Sequence, residues 1–105
     1  MKLELATRSQ GAERTIVVKG DVDMDSSPEL RDEVKRALKG AQSLKLDLSG
    51  VSYMDSSGIA VLIQALRASN AQKAAFSLLN PSGQVNGVIG LSQLQTVFKI
   101  ETTAG

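Results

Sequence analysis

The chain has 105 residues, 42% of them hydrophobic, which suits one compact domain, residues 1–105, that buries about two-thirds of its unfolded surface. Its 12 lysines and arginines nearly balance 11 aspartates and glutamates, for a net charge of +1, so no strong field draws it to nucleic acid and we expect a protein partner instead. The absence of cysteine and histidine excludes disulfides, thiolate chemistry and the commonest general base and metal ligand, and therefore argues against an enzyme.

The N-terminal segment predicts two antiparallel strands. Leu3 and Leu5 alternate with polar residues, as do Ile16 and Val18, and the polar residues 8–13 between them predict the turn. The segment lacks the apolar core of a signal peptide, and no apolar run in the chain approaches the length of a membrane span. We therefore expect a cytoplasmic domain without direct membrane insertion.

A first helix is expected to begin at Ser26. Ser26 is a favoured N-cap, Pro28 is tolerated in the first turn, and Glu29 has the spacing of a capping box. The apolar stripe of this helix consists of Leu30, Val34 and Leu38. Gly40 suits a left-handed helix end, and the alternating residues 44–48 predict the third strand.

The second half of the chain continues the alternation of helices and strands. Residues 59–66 are too continuously apolar for a half-buried strand and predict a well-buried helix. Residues 75–79 predict a strand, and the apolar residues of 85–91 predict a short helix weakened by glycines. Residues 97–100 predict a last strand and residues 102–105 a loose tail. The predicted fold class is therefore α/β, with packed helices on a mixed, mostly parallel sheet that begins with an antiparallel hairpin.

The junction between the third strand and the buried helix carries Asp55, Ser56, Ser57 and Gly58. Aspartate and serine are favoured helix caps, so these residues have a purely structural interpretation. If a serine is exposed there, its phosphorylation adds nearly two negative charges, which helix-terminal amides accommodate without melting the fold. Beside Asp55, such a charge predicts a surface that loses an acidic or apolar partner while the core stays intact.

A second polar segment, Gly20-Asp21-Val22-Asp23, precedes the first helix. Its structural interpretation is a simple turn. Two aspartates and two serines can suggest a metal site, but neither a nucleotide-binding loop nor a histidine base accompanies them, so we expect no metal and no cofactor. Connections that leave the same ends of parallel strands tend to cluster, so we expect Asp23 and Ser56 to face one partner together.

Nearly end to end, the chain resembles the STAS domains of bacterial anti-sigma-factor antagonists, also called anti-anti-sigma factors. The segments that carry the resemblance are Gly20–Asp23, Leu48–Ile59, Gly90-Leu91 and Val97-Phe98. At the start of its second helix that family has an aspartate, a phosphorylatable serine, a second serine or threonine, and a glycine, which residues 55–58 match without a gap. The resemblance implies phosphorylation of Ser56, with Ser57 as the alternative. The implied partner-binding residues are Asp23, Asp55, Ser56, Ser57 and Gly58.

The resemblance further implies a partner-switching protein. The unphosphorylated form binds an anti-sigma factor that is also a serine kinase, and thereby releases a sigma factor. Phosphorylation by that kinase breaks the complex, and a separate phosphatase restores it. ATP in such complexes belongs to the kinase, so the resemblance implies no cofactor for this chain.

Related STAS domains offer an alternative function, that of a constitutive accessory subunit of an ABC-type membrane transporter for lipids or anions. In that role Ser56 and Ser57 serve only as capping residues. Copurification with a transporter ATPase, and with no kinase-like partner, distinguishes this function from partner switching.

Overall fold

Five strands and three helices alternate along residues 2–103, which the computed structural model describes. The elements are β1 (Glu4–Gln10), β2 (Glu13–Val22), α1 (Ser27–Leu38), β3 (Ser43–Met54), α2 (Ser56–Ala71), β4 (Ala75–Leu79), α3 (Gly83–Leu91) and β5 (Ile100–Glu101). The strands lie in the sheet in chain order; β1 and β2 are antiparallel, and each later pair is parallel. The predicted α/β fold with a mixed, mostly parallel sheet is confirmed.

The N-terminal hairpin has a tighter turn than the sequence predicts. Polar residues 8–10 belong to β1, and only Gly11 and Ala12 connect it to β2. Gly11 has a φ of 62°, the left-handed conformation that lets a two-residue loop reverse the chain. The predicted turn over residues 8–13 was wrong in length because β1 is an exposed edge strand, whose polar side chains resemble those of a loop.

One face of β3 faces the core that α1 and α2 complete. The fully buried side chains of β3 include Leu44, Leu46 and Leu48. Lys45 and Asp47, which alternate with them, are half-exposed, so the helices cover only one face of this strand. The predicted stripe of α1 is confirmed, since each of its members is at most 5% exposed; they are Leu30, Val34 and Leu38. Gly40 has a φ of 73° and follows the helix end as predicted.

The beginning of α1 differs from its prediction. Ser26 occupies the N-cap position, but its side chain makes no capping hydrogen bond. Its hydroxyl lies 2.8 Å from the carbonyl oxygen of Asp21 and 3.1 Å from the carboxylate of Asp23, and it accepts from the Asp23 N–H at 3.0 Å. The predicted capping box with Glu29 was therefore wrong, because partners upstream hold the hydroxyl away from the helix.

The third strand is longer than its alternating pattern, and it ends directly before Asp55. The register between β2 and β3 shifts between Val17 and Lys19, and again between Gly20 and Asp21. Such irregularities keep two strands paired where their side chains no longer alternate regularly. The strand therefore continues past residue 48 to Met54. It places the serine junction at the edge of the sheet that is formed by the carboxyl ends of β2 and β3.

The last strand is shorter and later than predicted. It comprises Ile100–Glu101 rather than residues 97–100. The Val97 N–H donates to the carbonyl oxygen of Leu94 at 2.9 Å, so this residue lies in a turn. Phe98 is buried at 5% exposure without belonging to a strand, so its apolar character reflects core packing rather than strand pairing.

The predicted loose tail is wrong for Thr103. Its N–H donates to Asn80 Oδ1 at 2.8 Å, and the Asn80 amide donates to its hydroxyl at 2.8 Å. These two bonds fasten the chain beside the end of β4. Residues 104 and 105 of the predicted tail lie outside the described residues.

Candidate functional site

The serine junction forms the first turn of α2, as predicted. Asp55 is the N-cap, and its Oδ1 accepts a hydrogen bond from the Ser57 N–H at 2.9 Å. Its carbonyl oxygen accepts from the N–H groups of Gly58 and Ile59 at 3.1 and 3.2 Å. The capping task thus falls to Asp55, and it leaves the two serine hydroxyls outside the structural network.

Ser56 is accessible. Its side chain is exposed, whereas that of Ser57 is half-buried. Within residues 2–103, neither hydroxyl takes part in a hydrogen bond. A group attached to Ser56 Oγ therefore displaces no internal contact, and it projects from the positive end of a 16-residue helix.

Asp23 and Ser56 follow the carboxyl ends of two neighbouring strands, β2 and β3, at the same edge of the sheet. Val22 and Met54 are the last residues of β2 and β3, and they pair in parallel register. The Asp55 N–H then donates to the carbonyl oxygen of Val22 at 3.2 Å, which continues the pairing one step beyond β3. The two chain segments therefore leave the sheet side by side, and the structure brings Asp23 near residues 55–57.

A network centred on Asp23 fixes the loop before α1. The Asp23 Oδ1 accepts from the N–H of Ser26 at 2.9 Å and from the N–H of Asp25 at 3.0 Å. The pKa of Asp23 is held below its ordinary value of 3.8, chiefly by the Ser26 N–H and then by the Ser26 hydroxyl. Asp23 is consequently a carboxylate at neutral pH, and its second oxygen has no hydrogen bond to residues 2–103.

This network predicts a local dependence on pH. Because the folded pKa of Asp23 lies below the unfolded one, its stabilisation is complete above about pH 4 and is lost as the pH falls through the folded pKa. In an NMR titration, the Ser26 amide shift of the wild type is expected to move with a midpoint below 3.8. Asp23→Asn keeps an acceptor oxygen without the charge, so this step is expected to vanish. A midpoint at or above 3.8 would contradict the network.

Gly58 follows the two serines in the first turn of α2 and is the buried member of the implied partner-binding set. A Cβ at this position would lie 2.5 Å from Met54 Cγ and 3.0 Å from Val22 Cγ1. The missing side chain therefore allows α2 to pack closely on the ends of β2 and β3. Its location indicates a packing role, whereas its contact with a partner stays a prediction.

The packing at Gly58 predicts that Gly58→Ala lowers the free energy of unfolding by about 1–3 kcal/mol, because Met54 is 1% exposed and has little room to move. Gly87→Ala in α3 is the matched control, since a Cβ there meets nothing within 4 Å. The control is expected to be neutral or to stabilise by up to about 1 kcal/mol. Urea unfolding of both variants measures the difference, and equal effects would contradict the close packing.

Gln84 supports the site, and the sequence carries no local signal for it. Its Oε1 accepts from the Met54 N–H at 2.7 Å, across 30 positions of sequence. Its Nε2 lies 3.4 Å from the carbonyl oxygen of Met54. Ser82 caps α3 by accepting from the Val85 N–H at 3.3 Å. The beginning of α3 thus holds the end of β3 just before Asp55.

The side chains beside the β2–α1 loop are mostly acidic. A hollow of about 240 Å³ beside the β2–α1 loop is lined by Lys2, Leu3, Asp21, Asp23, Asp25, Ser26 and Glu29. Residues 2–103 contain no cluster of three or more acidic, histidine or cysteine side chains suited to a metal ion. Within the same residues, no helix is long and apolar enough to cross a membrane.

Comparisons with known proteins agree on one family. The family model described as "Mlab, STAS domain" matches residues 5–100. A STAS-domain containing protein of Pseudomonas aeruginosa is 27% identical over 100 residues, with 95% of this chain and 99% of that protein covered. An anti-sigma-B factor antagonist of Staphylococcus aureus is 26% identical over 102 residues, with 95% and 94% covered. The unphosphorylated form of the anti-sigma factor antagonist SpoIIAA shares the fold, with a TM-score of 0.81 and 22% identity over 98% of this chain and 89% of that chain.

Proposed function

Since this chain belongs to the STAS domain family, we propose that it is an anti-sigma factor antagonist that acts by partner switching. In its unphosphorylated form it binds an anti-sigma factor with serine kinase activity, and so frees a sigma factor. The kinase phosphorylates Ser56, which ends the binding, and a phosphatase restores it. The protein itself acts in the cytoplasm as a binding protein without catalytic residues.

The observation that carries this proposal is the state of the Ser56 hydroxyl. It is exposed, it makes no hydrogen bond within residues 2–103, and a carboxylate cap beside it already satisfies the helix. A phosphoryl group there adds nearly two charges to the surface and leaves the core unchanged. Relatives named anti-sigma-B factor antagonist, and the solved phosphorylated form of SpoIIAA, support the same switch.

Intact-mass measurement tests the proposal. The purified protein is incubated with ATP and, in turn, with each anti-sigma-type serine kinase encoded in the same genome. One kinase is expected to add a single phosphoryl group to the wild type and to Ser57→Ala, and none to Ser56→Ala. An unchanged mass with every kinase would count against partner switching.

The transporter-subunit function is a second candidate, because the family match is to the STAS domain as such and its description names no sigma-factor regulator. In that role, both serine hydroxyls stay unmodified. Affinity purification from cells separates the candidates: a transporter ATPase without a serine kinase supports the accessory subunit, and a serine kinase without the ATPase supports partner switching.

A further inference from the structure

Met24 presents an apolar side chain at the same edge as Ser56. It is 76% exposed, in the loop between β2 and α1. Isolated exposed apolar residues are common, but the place of this one is specific. Met24 follows Val22 by two residues, Ser56 follows Met54 by two residues, and Val22 and Met54 are in register. Tyr53, which precedes Met54 in β3, is 45% exposed and adds apolar surface near the end of this strand.

The loop that carries Met24 is held on both sides by hydrogen bonds. The N–H groups of Asp25 and Ser26 donate to the Asp23 carboxylate, and the Ser27 N–H donates to the Asp23 carbonyl oxygen at 2.8 Å. The side chain of Met24 therefore projects from a backbone with little freedom left. A residue displayed in this way loses less conformational entropy on binding than one in a loose loop.

We propose that Met24 is the apolar anchor of the surface that Ser56 controls, and that it inserts into an apolar hollow on the kinase. This inference rests on the proposed function. Exposed long apolar side chains gain most when a partner buries them completely, and such residues supply much of the binding energy of an interface. A phosphoryl group on Ser56 adjoins this contact, so closing the interface requires desolvation of a dianion.

The charges of the edge favour a protein partner with a basic rim. Asp23 and Asp25 flank Met24 in the chain, and the hollow beside their loop is lined by four carboxylates and one lysine, from Asp21, Asp23, Asp25, Glu29 and Lys2. A second copy of this chain would bring these carboxylates against one another, and an anionic lipid surface would be repelled in the same way. A kinase surface with an apolar hollow for Met24 and basic side chains around it for the carboxylates would match both the apolar and the acidic part of this surface.

The test compares binding of the unphosphorylated variants to the kinase that modifies Ser56, immobilised for surface plasmon resonance without ATP. Met24→Ala is expected to bind about 30-fold more weakly, mainly through faster dissociation. Met24→Leu, which keeps an apolar side chain of similar volume, is expected to stay within about threefold of the wild type. Because Met24 is exposed, the variants keep the unfolding midpoint of the wild type.

Leu91→Ala is the matched control. Leu91 is 88% exposed at the end of α3. Its truncation also removes exposed apolar surface, and it is expected to leave binding within about twofold of the wild type.

If Met24→Ala binds like the wild type while Ser56→Asp does not bind, the anchor is overturned and the proposed function stands. If Met24→Ala instead abolishes self-association in sedimentation, the occupant is a second copy and the proposal is wrong. If no kinase binds or modifies the wild type, the anchor and the proposed function are both wrong.

Discussion

Ser56→Asp is expected to weaken binding to the proposed anti-sigma kinase at least about 100-fold, because a buried, unpaired charge in an interface costs several kcal/mol. The fold is expected to persist. Ser56 is exposed and lies at the first position of α2, where the helix dipole favours an anion and Asp55 repels it. These opposing terms are each about 1 kcal/mol or less, so the free energy of unfolding should change by no more than about 1 kcal/mol.

Two variants make the result specific to the site. Ser56→Ala is expected to bind like the wild type, since the hydroxyl makes no hydrogen bond within residues 2–103. Ser9→Asp places the same charge on an exposed serine of the edge strand β1, and binding should be retained. Calorimetric titration gives the affinities, and circular dichroism with urea unfolding checks the fold. Equal binding by Ser56→Asp and Ser9→Asp would contradict the placement of the interface.

The largest effect on stability is expected from Gly20→Ala, which should lower the free energy of unfolding by about 2–5 kcal/mol. Gly20 has a φ of 96°, where an L-residue is strained by about 1–2 kcal/mol. A Cβ would also lie 2.3 Å from the carbonyl oxygen of Lys2 and 3.0 Å from its carbonyl carbon. These are backbone atoms, so the N-terminal segment has to move away from β2, at an overpacking cost of about 1–3 kcal/mol.

Gly40→Ala separates the two causes of that loss. Gly40 also has a positive φ, 73°, but a Cβ there meets nothing within 4 Å. Only the backbone strain remains, so a loss of about 1–2 kcal/mol is expected. Denaturant unfolding of the two alanine variants gives the comparison. Equal losses at both positions would show that the close approach of Lys2 does not constrain the fold.

Local pattern was sufficient to predict most of the fold. Residues 59–66 are apolar over more than two helical turns and lie within α2, and residues 75–79 coincide with β4. Gly40 marked the end of α1 because glycine adopts the left-handed conformation there without the strain of a side chain. Each of these signals is contained in a few consecutive residues, and the tertiary structure agrees with it.

The errors occurred where contacts that the local pattern does not show determine the structure. Ser26 has the chemistry of a cap, but Asp21 and Asp23 compete for its hydroxyl. Phe98 suggested a strand because it is apolar, whereas it fills the core from an irregular segment. The hydrogen bond that joins Asn80 to Thr103 spans 23 positions, and no pattern in either segment announces it.

The serine junction itself could be located from the sequence, because residues 55–58 lie between a predicted strand and a predicted buried helix. The supporting contacts could not be found in this way. Gln84 reaches Met54 from the next helix but one, and the exposure of Met24 follows from how its loop folds back on Asp23. The sequence therefore predicts the position of the proposed phosphorylation site, and the structure adds the contacts that hold this segment in place.

Partner switching is tested by the affinity of one kinase for two forms of the same protein, unmodified and phosphorylated on Ser56 alone. Isothermal titration without ATP, with both forms checked by intact mass and by circular dichroism, gives the two dissociation constants. Partner switching predicts tight binding of the unmodified form and identical folds of the two forms. The dissociation constant of the phosphorylated form is expected to be at least about 100-fold larger, as for a charge buried in an interface. Equal affinities of the two folded forms would contradict it.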